Sequence, residues 1–284
     1  VPAPVKSCSL TSLPDHEPSC PFCRGNEKET PPATFTAYYP QGHRAQRGAN
    51  WRLRVVPNKF PAVTTDRCLR SGVVEETGEL NTDLIDGDES RFAVESVPAL
   101  GFHEVLIETP EHNLPTALMD VAQVQAVVQA MQIRGKAMQA ADPTLRHIMY
   151  FKNSGTKAGA SLLHPHSQIV ALPIVPVEVA QRQRHARQWF TRYQKNVFQH
   201  TLDTTMRQRD DAKHGGKEGA HRVVLEDDHF VCFIPFAALS PYSLWIVPKG
   251  IGAHFHEASE EEVLAFARIL RQARTSLNLA HPRS

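Results

Sequence analysis

The spacing of apolar residues along the chain predicts several short strands followed by a long helix. Apolar and polar residues alternate in part over 51–56 and over 101–108, which is typical of half-buried strands. Over 118–141 apolar residues return at helical spacing, and Pro143 follows, so this segment is predicted to be a helix. Two further strands are predicted at 146–152 and 164–172.

The strand at 101–108 presents two different faces. Because successive side chains of a strand point to opposite sides, His103, Val105 and Ile107 are predicted to share one face. Phe102, Glu104, Leu106 and Glu108 are predicted to share the other.

A weaker copy of this pattern returns in the second half of the chain. Strands are predicted at 222–225, 230–234 and 243–249, and a helix is predicted at 259–277. The segment 243–249 is similar to 51–57, which indicates an internal repeat of about half the chain. The segment 176–200 is predicted to be helical, and loops are predicted at 1–50, 65–98 and 203–219.

The balance of charges limits the partners of the protein. The 284 residues include 31 basic and 30 acidic ones, which gives a formal net charge of +1, and a nucleic-acid partner would need a local basic excess. The five basic residues within 176–200 are therefore read as a solvated helix face rather than a nucleic-acid patch. A small molecule that carries phosphate remains compatible with this composition.

The apolar runs and the cysteines of the chain indicate the cellular compartment. No apolar run is long enough to cross a bilayer, and the first residues lack the charged leader and apolar stretch of a secretory signal. Five sparse cysteines are not typical of a disulfide framework. We therefore expect a cytoplasmic protein with neither a membrane nor a nucleic acid as its partner.

The pair Cys20-Pro-Phe-Cys23 is a candidate for half of a metal site. Two cysteines separated by two residues can place both thiolates on one tetrahedral zinc ion, which then needs two more ligands. His112, at the end of a predicted strand, and His164, at the head of a His-rich segment, could supply them. A buried pair or a redox pair is the alternative, although a redox pair usually lies between a strand and a helix.

The segment His164-Pro-His-Ser-Gln168 carries the strongest candidate chemistry. In an extended chain positions 164, 166 and 168 face the same way. A neutral imidazole such as that of His166 is a competent nucleophile toward phosphorus, provided that an acceptor holds its other ring nitrogen. Gln168 can donate its amide N–H to a phosphate oxygen. The alternative is a strand edge on which the histidines occur by chance.

Two neighbouring segments could contact a ligand. Small residues over 153–161, among them Gly155 and Gly159, would let backbone N–H groups approach a phosphate, although their spacing fits no common phosphate-binding fingerprint. Asn58 could hydrogen-bond a ribose or phosphate, and Phe60 could face a base. An ordinary turn after a strand explains Asn58 and Phe60 equally well.

Five segments of the chain resemble segments that occur in the same order in the galactose-1-phosphate uridylyltransferase family. This family belongs to the histidine triad superfamily, and ADP-glucose phosphorylase is its close relative. They are Cys20–Cys23, 55–62, 101–112, 151–168 and 245–249, and they span nearly the whole chain. Histidine triad hydrolases carry a histidine where this chain has Gln168, whereas glutamine is typical of the transferase and phosphorylase branch.

The resemblance implies a role for each candidate residue. His166 would be the nucleophile that takes the nucleoside monophosphate, and Gln168 would bind the phosphate oxygens of that intermediate. Asn153 and Ser161 would hold the phosphates, and Asn58 with Phe60 would contact the nucleoside. The structural zinc ligands would be Cys20, Cys23, His112 and His164.

The implied function is a double displacement at phosphorus, of the UDP-glucose:hexose-1-phosphate uridylyltransferase type. Its substrates would be a nucleotide sugar and a sugar 1-phosphate. One alternative is an ADP-glucose phosphorylase, which Ser167 and the stretch 171–176 resemble more closely. Another alternative is an inactive, zinc-stabilised nucleotide-binding module.

We therefore expect an α+β fold of two histidine-triad-like halves, each an antiparallel sheet with packed helices. Residues 1–175 are expected to form an N-terminal domain that contains the zinc knuckle and the nucleophile. Residues 176–284 are expected to form a C-terminal domain, which is expected to be truncated because no further strands follow its last helix. Relatives of this family are commonly dimers, so a homodimer is expected.

Overall fold

Two antiparallel sheets and four α-helices make up the described part of the chain, in a computed structural model. The described residues are 13–40, 50–65, 99–213, 221–250, 252 and 254–280. The larger sheet contains β1 (Phe35–Tyr38), β2 (Trp51–Pro57), β3 (Phe102–Ile107), β4 (His147–Phe151) and β5 (His166–Leu172). The smaller sheet contains β6 (Val223–Glu226), β7 (Phe230–Phe233) and β8 (Trp245–Pro248). The helices are α1 (Val121–Ala141), α2 (Val177–Tyr193), α3 (Val197–Lys213) and α4 (Glu260–Ala280). This mixture confirms the predicted α+β class.

Helix α1 covers one face of the larger sheet, whose strands lie in the order β1-β2-β3-β5-β4. Leu53 and Leu106 are fully buried on this face and pack against Val127 and Ala130 of α1. Ile169 of β5 is buried on the same side, in a cluster that includes Met138 of α1. Apolar residues therefore alternate along the strands as the sequence predicts, and they direct their side chains toward α1.

The face of the sheet away from α1 carries the candidate chemistry. In the antiparallel pairing of β3 with β5, Ile107 lies opposite His166 and Val105 lies opposite Gln168. Directly opposed residues project to the same side of a sheet. The predicted grouping of His103, Val105 and Ile107 therefore places them on the same face as His166 and Gln168.

The smaller sheet lies between α3 and α4. Helix α4 also packs against α1, which covers the larger sheet. Phe230 and Cys232 pack against Ala265 and Ile269 of α4, whereas Leu202 of α3 packs against the opposite side of the sheet with Val231. Helix α4 also packs beside α1, where Met119, Val124 and Ala267 form a buried cluster. Each half thus combines an antiparallel sheet with a helix of 21 residues.

Three predictions of secondary structure were wrong in part. Residues 203–213, expected to be loop, belong to α3, because Leu202 and Met206 occupy neighbouring turns of one helix face that packs on the smaller sheet. The single helix expected at 176–200 is interrupted, because Gln194 adopts a left-handed conformation that ends α2. Strand β1 lies within residues 1–50, which were expected to be loop. Residues 66–98 of the expected loop 65–98 lie outside the described residues.

None of the described helices combines the length and the apolar character that a membrane span requires.

Gly101, at the start of β3, provides a test of the sheet register. Its φ is +144°, and a Cβ placed there would lie 2.1 Å from the carbonyl oxygen of Ala171 in β5. We expect Gly101→Ala to lower the free energy of unfolding by roughly 3 to 5 kcal/mol, because backbone strain and steric overlap add. Urea unfolding followed by circular dichroism measures this loss.

Gly25→Ala is the matched control, since Gly25 has a φ of +89° but no heavy atom within 4 Å of the added Cβ. It should cost only the backbone strain, about 1 to 2 kcal/mol. Equal losses for the two variants would contradict the close approach of β3 to β5 at Gly101.

Candidate functional site

The Cys20–Cys23 knuckle is a tight turn that packs against the site face of the larger sheet. The amide of Cys23 donates to the carbonyl oxygen of Cys20 at 3.2 Å, and the amide of Glu17 approaches the Cys23 sulfur at 3.4 Å. Phe22, between the two cysteines, packs with Trp51 and Ile107 in a buried cluster. The knuckle is therefore held both by backbone hydrogen bonds and by an apolar anchor on the sheet.

Four ligand-type side chains meet at this knuckle. Cys20, Cys23, His112 and His164 are all buried, and their candidate ligand atoms lie within 4.8 Å of one another. The Cys23 sulfur lies 3.4 Å from Nδ1 of His112 and 3.6 Å from Nδ1 of His164. Bonds of about 2.0 to 2.3 Å to one tetrahedral ion separate the ligands by about 3.3 to 3.8 Å. The cluster could therefore bind a metal ion.

Hydrogen bonds to backbone carbonyl groups hold the two histidines of this cluster. Nε2 of His164 donates to the carbonyl oxygen of Thr109 at 2.8 Å, which leaves the Nδ1 lone pair directed at Cys23. The backbone amide of His112 donates to the carbonyl oxygen of Asp15 at 2.9 Å. The contact of Nε2 fixes the tautomer and the ring direction of His164, as outer contacts do for metal-binding imidazoles, whereas the contact of His112 holds its backbone.

Burial favours the neutral forms of three of the four candidate ligands. Burial raises the pKa of the Cys23 thiol to about 11 and lowers the pKa of His164 to about 4. The pKa of His112 is also lowered, mainly by burial. Neutral imidazoles can bind a metal ion directly, whereas the thiolate form of Cys23 would be stabilised by the charge of a divalent ion.

His166 is the first residue of β5, and its ring is fixed by the strand that carries it. Nδ1 donates to the carbonyl oxygen of His164 at 2.8 Å. Because one ring nitrogen is thus a donor, the other, Nε2, retains its lone pair in the neutral ring. The residue is 6% exposed, and Phe22 of the knuckle packs edge-on against its ring at a centroid distance of 5.4 Å. The arrangement meets the chemical requirements for a nucleophilic imidazole.

Gln168 lies two residues further along β5 and contacts His103 of β3. Oε1 of Gln168 is 2.7 Å from Nε2 of His103. His103 in turn contacts the segment that follows β2, since Nδ1 lies 3.0 Å from the amide nitrogen of Ala62 and Nε2 lies 3.0 Å from Nδ2 of Asn58. The structure therefore brings Asn58 and Gln168 together through a histidine to which the sequence analysis gave no role.

The remaining predicted contact residues lie on two loops. Phe60 is 83% exposed, and the carbonyl group of the Asn58 side chain accepts the Phe60 amide at 2.9 Å. Asn153 is half-buried and Ser161 is exposed, both on the segment between β4 and β5. Among the described residues, no hydrogen bond joins Asn153 or Ser161 to His166.

The turn between β4 and β5 depends on its glycines. Gly155 and Gly159 have φ angles of +84° and +82°, which favour glycine. The carbonyl oxygen of Gly155 accepts the amides of both Ala158 and Ala160. These small residues turn the chain back toward His164, which indicates how the loop positions the His-rich segment.

Two cavities in the described part of the chain are not lined by His166. One of about 560 Å³ is lined by residues such as Arg24, Trp51 and Arg54. Another of about 450 Å³ lies on the α1 side of the sheet, where Ser167 and Glu108 line one end. The choice of His166 as the reactive group therefore rests on its hydrogen bonds and strand position.

A second polar cluster, absent from the sequence analysis, backs this strand from the α1 side. Ser167 donates to the buried carboxylate of Glu108, and Lys152 forms an ion pair with the same carboxylate. Nζ of Lys152 also donates to Oγ1 of Thr116 at 3.0 Å. The placement of Glu108 on the face opposite His103 follows from strand alternation, but its partners come from distant segments.

Comparison with known proteins identifies the class and then the family. The fold is similar to the crystal structure of an ADP-glucose phosphorylase from Arabidopsis thaliana with bound ADP-glucose, with a TM-score of 0.68 and 29% identity. That match covers 94% of this chain and 70% of the solved one. The sequence model described as galactose-1-phosphate uridyl transferase, N-terminal domain, matches residues 5–176. The chain belongs to the galactose-1-phosphate uridylyltransferase family.

Two curated relatives illustrate this membership. An ADP-glucose phosphorylase of Arabidopsis thaliana is 30% identical over 270 residues, which are 95% of this chain and 66% of the relative. A galactose-1-phosphate uridylyltransferase of Thermotoga maritima is 31% identical over 171 residues, which are 60% of this chain and 49% of the relative. The chain thus spans between about half and two thirds of these relatives.

Metal analysis tests the Cys2His2 cluster. We expect the purified protein to contain about one tightly bound metal ion per chain. Cys23→Ser should lower the metal content to near zero, because it removes the thiolate that contacts both histidines. Elemental analysis by mass spectrometry, after removal of loosely bound ions, measures the content.

Cys232→Ser provides the matched control, since Cys232 is also buried but lies in the core of the second half. It should retain the ion even if it lowers stability. An equal loss of metal from both variants would show that Cys23 does not act as a ligand.

Proposed function

We propose that this chain carries the reaction centre of a nucleotidyltransferase of the UDP-glucose:hexose-1-phosphate uridylyltransferase type, with His166 as the nucleophile. The observation that supports this most is the hydrogen bond from Nδ1 of His166 to the carbonyl oxygen of His164. It leaves Nε2 with a free lone pair on a ring that the knuckle residue Phe22 holds in place.

In the first displacement Nε2 of His166 attacks the α-phosphorus of the nucleotide sugar. A phosphorus–nitrogen bond forms, and the bond from the α-phosphorus to the bridging oxygen breaks. Glucose 1-phosphate leaves with the bonding electrons. The ring then holds a nucleotidyl group, and its positive charge is shared through Nδ1–H with the carbonyl oxygen of His164.

In the second displacement a phosphate oxygen of the acceptor attacks the same phosphorus. The new phosphorus–oxygen bond forms as the phosphorus–nitrogen bond breaks, and His166 returns to its neutral form. With galactose 1-phosphate as the acceptor, the product is UDP-galactose. Gln168 suits the lifetime of this intermediate because an amide donates a hydrogen bond but does not readily deliver a proton.

The proposed ligand contacts follow the two loops beside the site. Asn58 and the exposed ring of Phe60 would contact the nucleoside, because the backbone amides of Asn58 and Ala62 both donate to His103, next to Gln168. Asn153 and Ser161 would contact the phosphates from the turn between β4 and β5. The nucleotide sugar and the sugar 1-phosphate are thus the proposed partners.

We propose zinc as the ion held by Cys20, Cys23, His112 and His164. Two thiolates and two imidazoles are a donor set that zinc prefers, and with all four positions filled the ion would be structural. Its effect would be to fix the knuckle, and through Phe22 the ring of His166, against the sheet.

An ADP-glucose phosphorylase activity is the second candidate. It would transfer an adenylyl group to inorganic phosphate through the same residue. The similarity to the Arabidopsis thaliana phosphorylase, 30% identical over 95% of this chain, supports this candidate.

The wider organisation is also a proposal. We propose that the two histidine-triad-like halves divide near residue 175, between β5 and α2. A homodimer, a cytoplasmic location and independence from nucleic acids and membranes remain predictions.

Trapping of the intermediate tests the proposed function. Incubation with UDP-glucose labelled with ³²P at the α-phosphate should label the protein in an acid-labile bond. ADP-glucose labelled in the same position should do so preferentially if the phosphorylase is the correct alternative. His166→Ala should reduce labelling to background, because it removes the attacking nitrogen.

His185→Ala is the control, since His185 is exposed on α2, and it should be labelled like the unsubstituted protein. Labelling that survives His166→Ala would remove His166 as the nucleophile. Nucleotide binding without any labelling would instead favour the inactive binding module.

A further inference from the structure

His103 is the residue that links the proposed phosphate-binding glutamine to the rest of the site. It lies on β3, on the face that carries His166 and Gln168. One ring nitrogen meets the segment after β2, and the other meets the side chain of Gln168. The ring therefore links the segment after β2 to β5, which are far apart in the sequence.

The contact with Ala62 determines which ring nitrogen of His103 carries hydrogen. A backbone amide can only donate, so Nδ1, which lies 3.0 Å from the Ala62 nitrogen, must be the acceptor. In the neutral ring the hydrogen is then on Nε2. Oε1 of Gln168, at 2.7 Å, accepts that hydrogen.

With this assignment the third contact of His103 is a close approach of two donor nitrogens and not a hydrogen bond. Nδ2 of Asn58 lies 3.0 Å from Nε2 of His103, but a nitrogen that already carries hydrogen and donates to Gln168 cannot accept from it. The orientation of Asn58 is set independently, because its carbonyl group accepts the Phe60 amide. The amide hydrogens of Asn58 are thus directed by the turn and not by His103.

We propose that His103 is a positioning residue that fixes the amide orientation of Gln168, so that the NH₂ group of Gln168 faces the phosphoryl group on His166. This inference rests on the proposed nucleotidyl transfer. With Oε1 occupied by His103, the opposite side of the amide presents its donors. Strand alternation places Gln168 on the same face as the reactive ring.

A glutamine amide needs such a partner because its two orientations have nearly the same shape. In the reversed orientation a carbonyl oxygen would face the negatively charged phosphoryl oxygens, and the two would repel each other. A donor held at Oε1 selects the useful orientation before the nucleotide arrives, and such preorganisation lowers the barrier to reaction. The series of hydrogen bonds thus runs from Ala62 through His103 to Gln168.

The test compares rates of nucleotidyl labelling at saturating nucleotide. His103→Leu keeps much of the side-chain volume but removes the donor, and it should slow labelling by about 10- to 100-fold. His103→Gln offers an amide N–H at a similar reach and should recover most of the rate. His147→Leu is the matched control, since His147 also lies in the larger sheet, opposite Leu172, and its rate should be unchanged.

A double-mutant cycle separates positioning from a general structural role. If His103 acts through Gln168, His103→Leu should slow the Gln168→Leu protein by no more than about twofold, because the orientation no longer matters. If His103 only holds the segment 58–62, the two losses should multiply. Circular dichroism of each variant confirms that it is folded.

Multiplying losses, or normal labelling by His103→Leu, would overturn the inference while the proposed function stands. Absence of labelling in the unsubstituted protein would overturn the proposed function, and the inference with it. A rate recovered by His103→Gln together with a non-multiplying cycle would support the positioning role.

Discussion

The hydrogen bond from Nδ1 of His166 to the carbonyl oxygen of His164 is the contact on which the arrangement of the site depends. It fixes the ring of His166 and makes Nε2 the nitrogen that carries the lone pair in the neutral ring. The group that accepts the hydrogen bond belongs to a candidate metal ligand. Since His164 is held by Thr109 and faces Cys23, any movement of the Cys2His2 cluster would change the acceptor of His166. The geometry of the proposed nucleophile therefore depends on the stability of the knuckle.

This connection explains why a structural ion would matter for chemistry at a distance from it. Phe22 lies between the two cysteines and packs edge-on against the rings of both His164 and His166. Burial of its ring with Trp51 and Ile107 adds an apolar contribution that does not depend on the ion. An ion at the cluster would add the constraint on direction, because four ligands can satisfy one tetrahedral centre in few arrangements. Packing of Phe22 holds the knuckle on the sheet. Metal binding would fix the position of the knuckle relative to His164, at the start of β5.

The sequence predicted four of the five strands of the larger sheet, all but β1, and the shared face of β3, because alternation is a local property. It also grouped Cys20, Cys23, His112 and His164, whose ligand atoms the structure places within 4.8 Å of one another. It could not predict that His103 contacts Gln168, because that contact depends on the register of β3 with β5, which alternation leaves open. Helix α3 was missed for a related reason. Its many charged residues are typical of a loop, and the burial of Leu202 against the smaller sheet cannot be seen in the sequence.

The two faces of β5 carry different groups. His166, the proposed nucleophile, projects from one face, and a cluster of buried polar residues lies on the other. On the α1 side, Ser167 and Lys152 both bind the carboxylate of Glu108, and Nε2 of Gln123 donates to the Glu108 carbonyl oxygen at 2.5 Å. A buried ion pair contributes little net stability compared with apolar packing, but it penalises any register in which one partner is left alone. A shift of β5 by one residue would exchange its faces and leave Glu108 without Ser167. The cluster on one face thus favours the single register in which His166 and Gln168 project from the other.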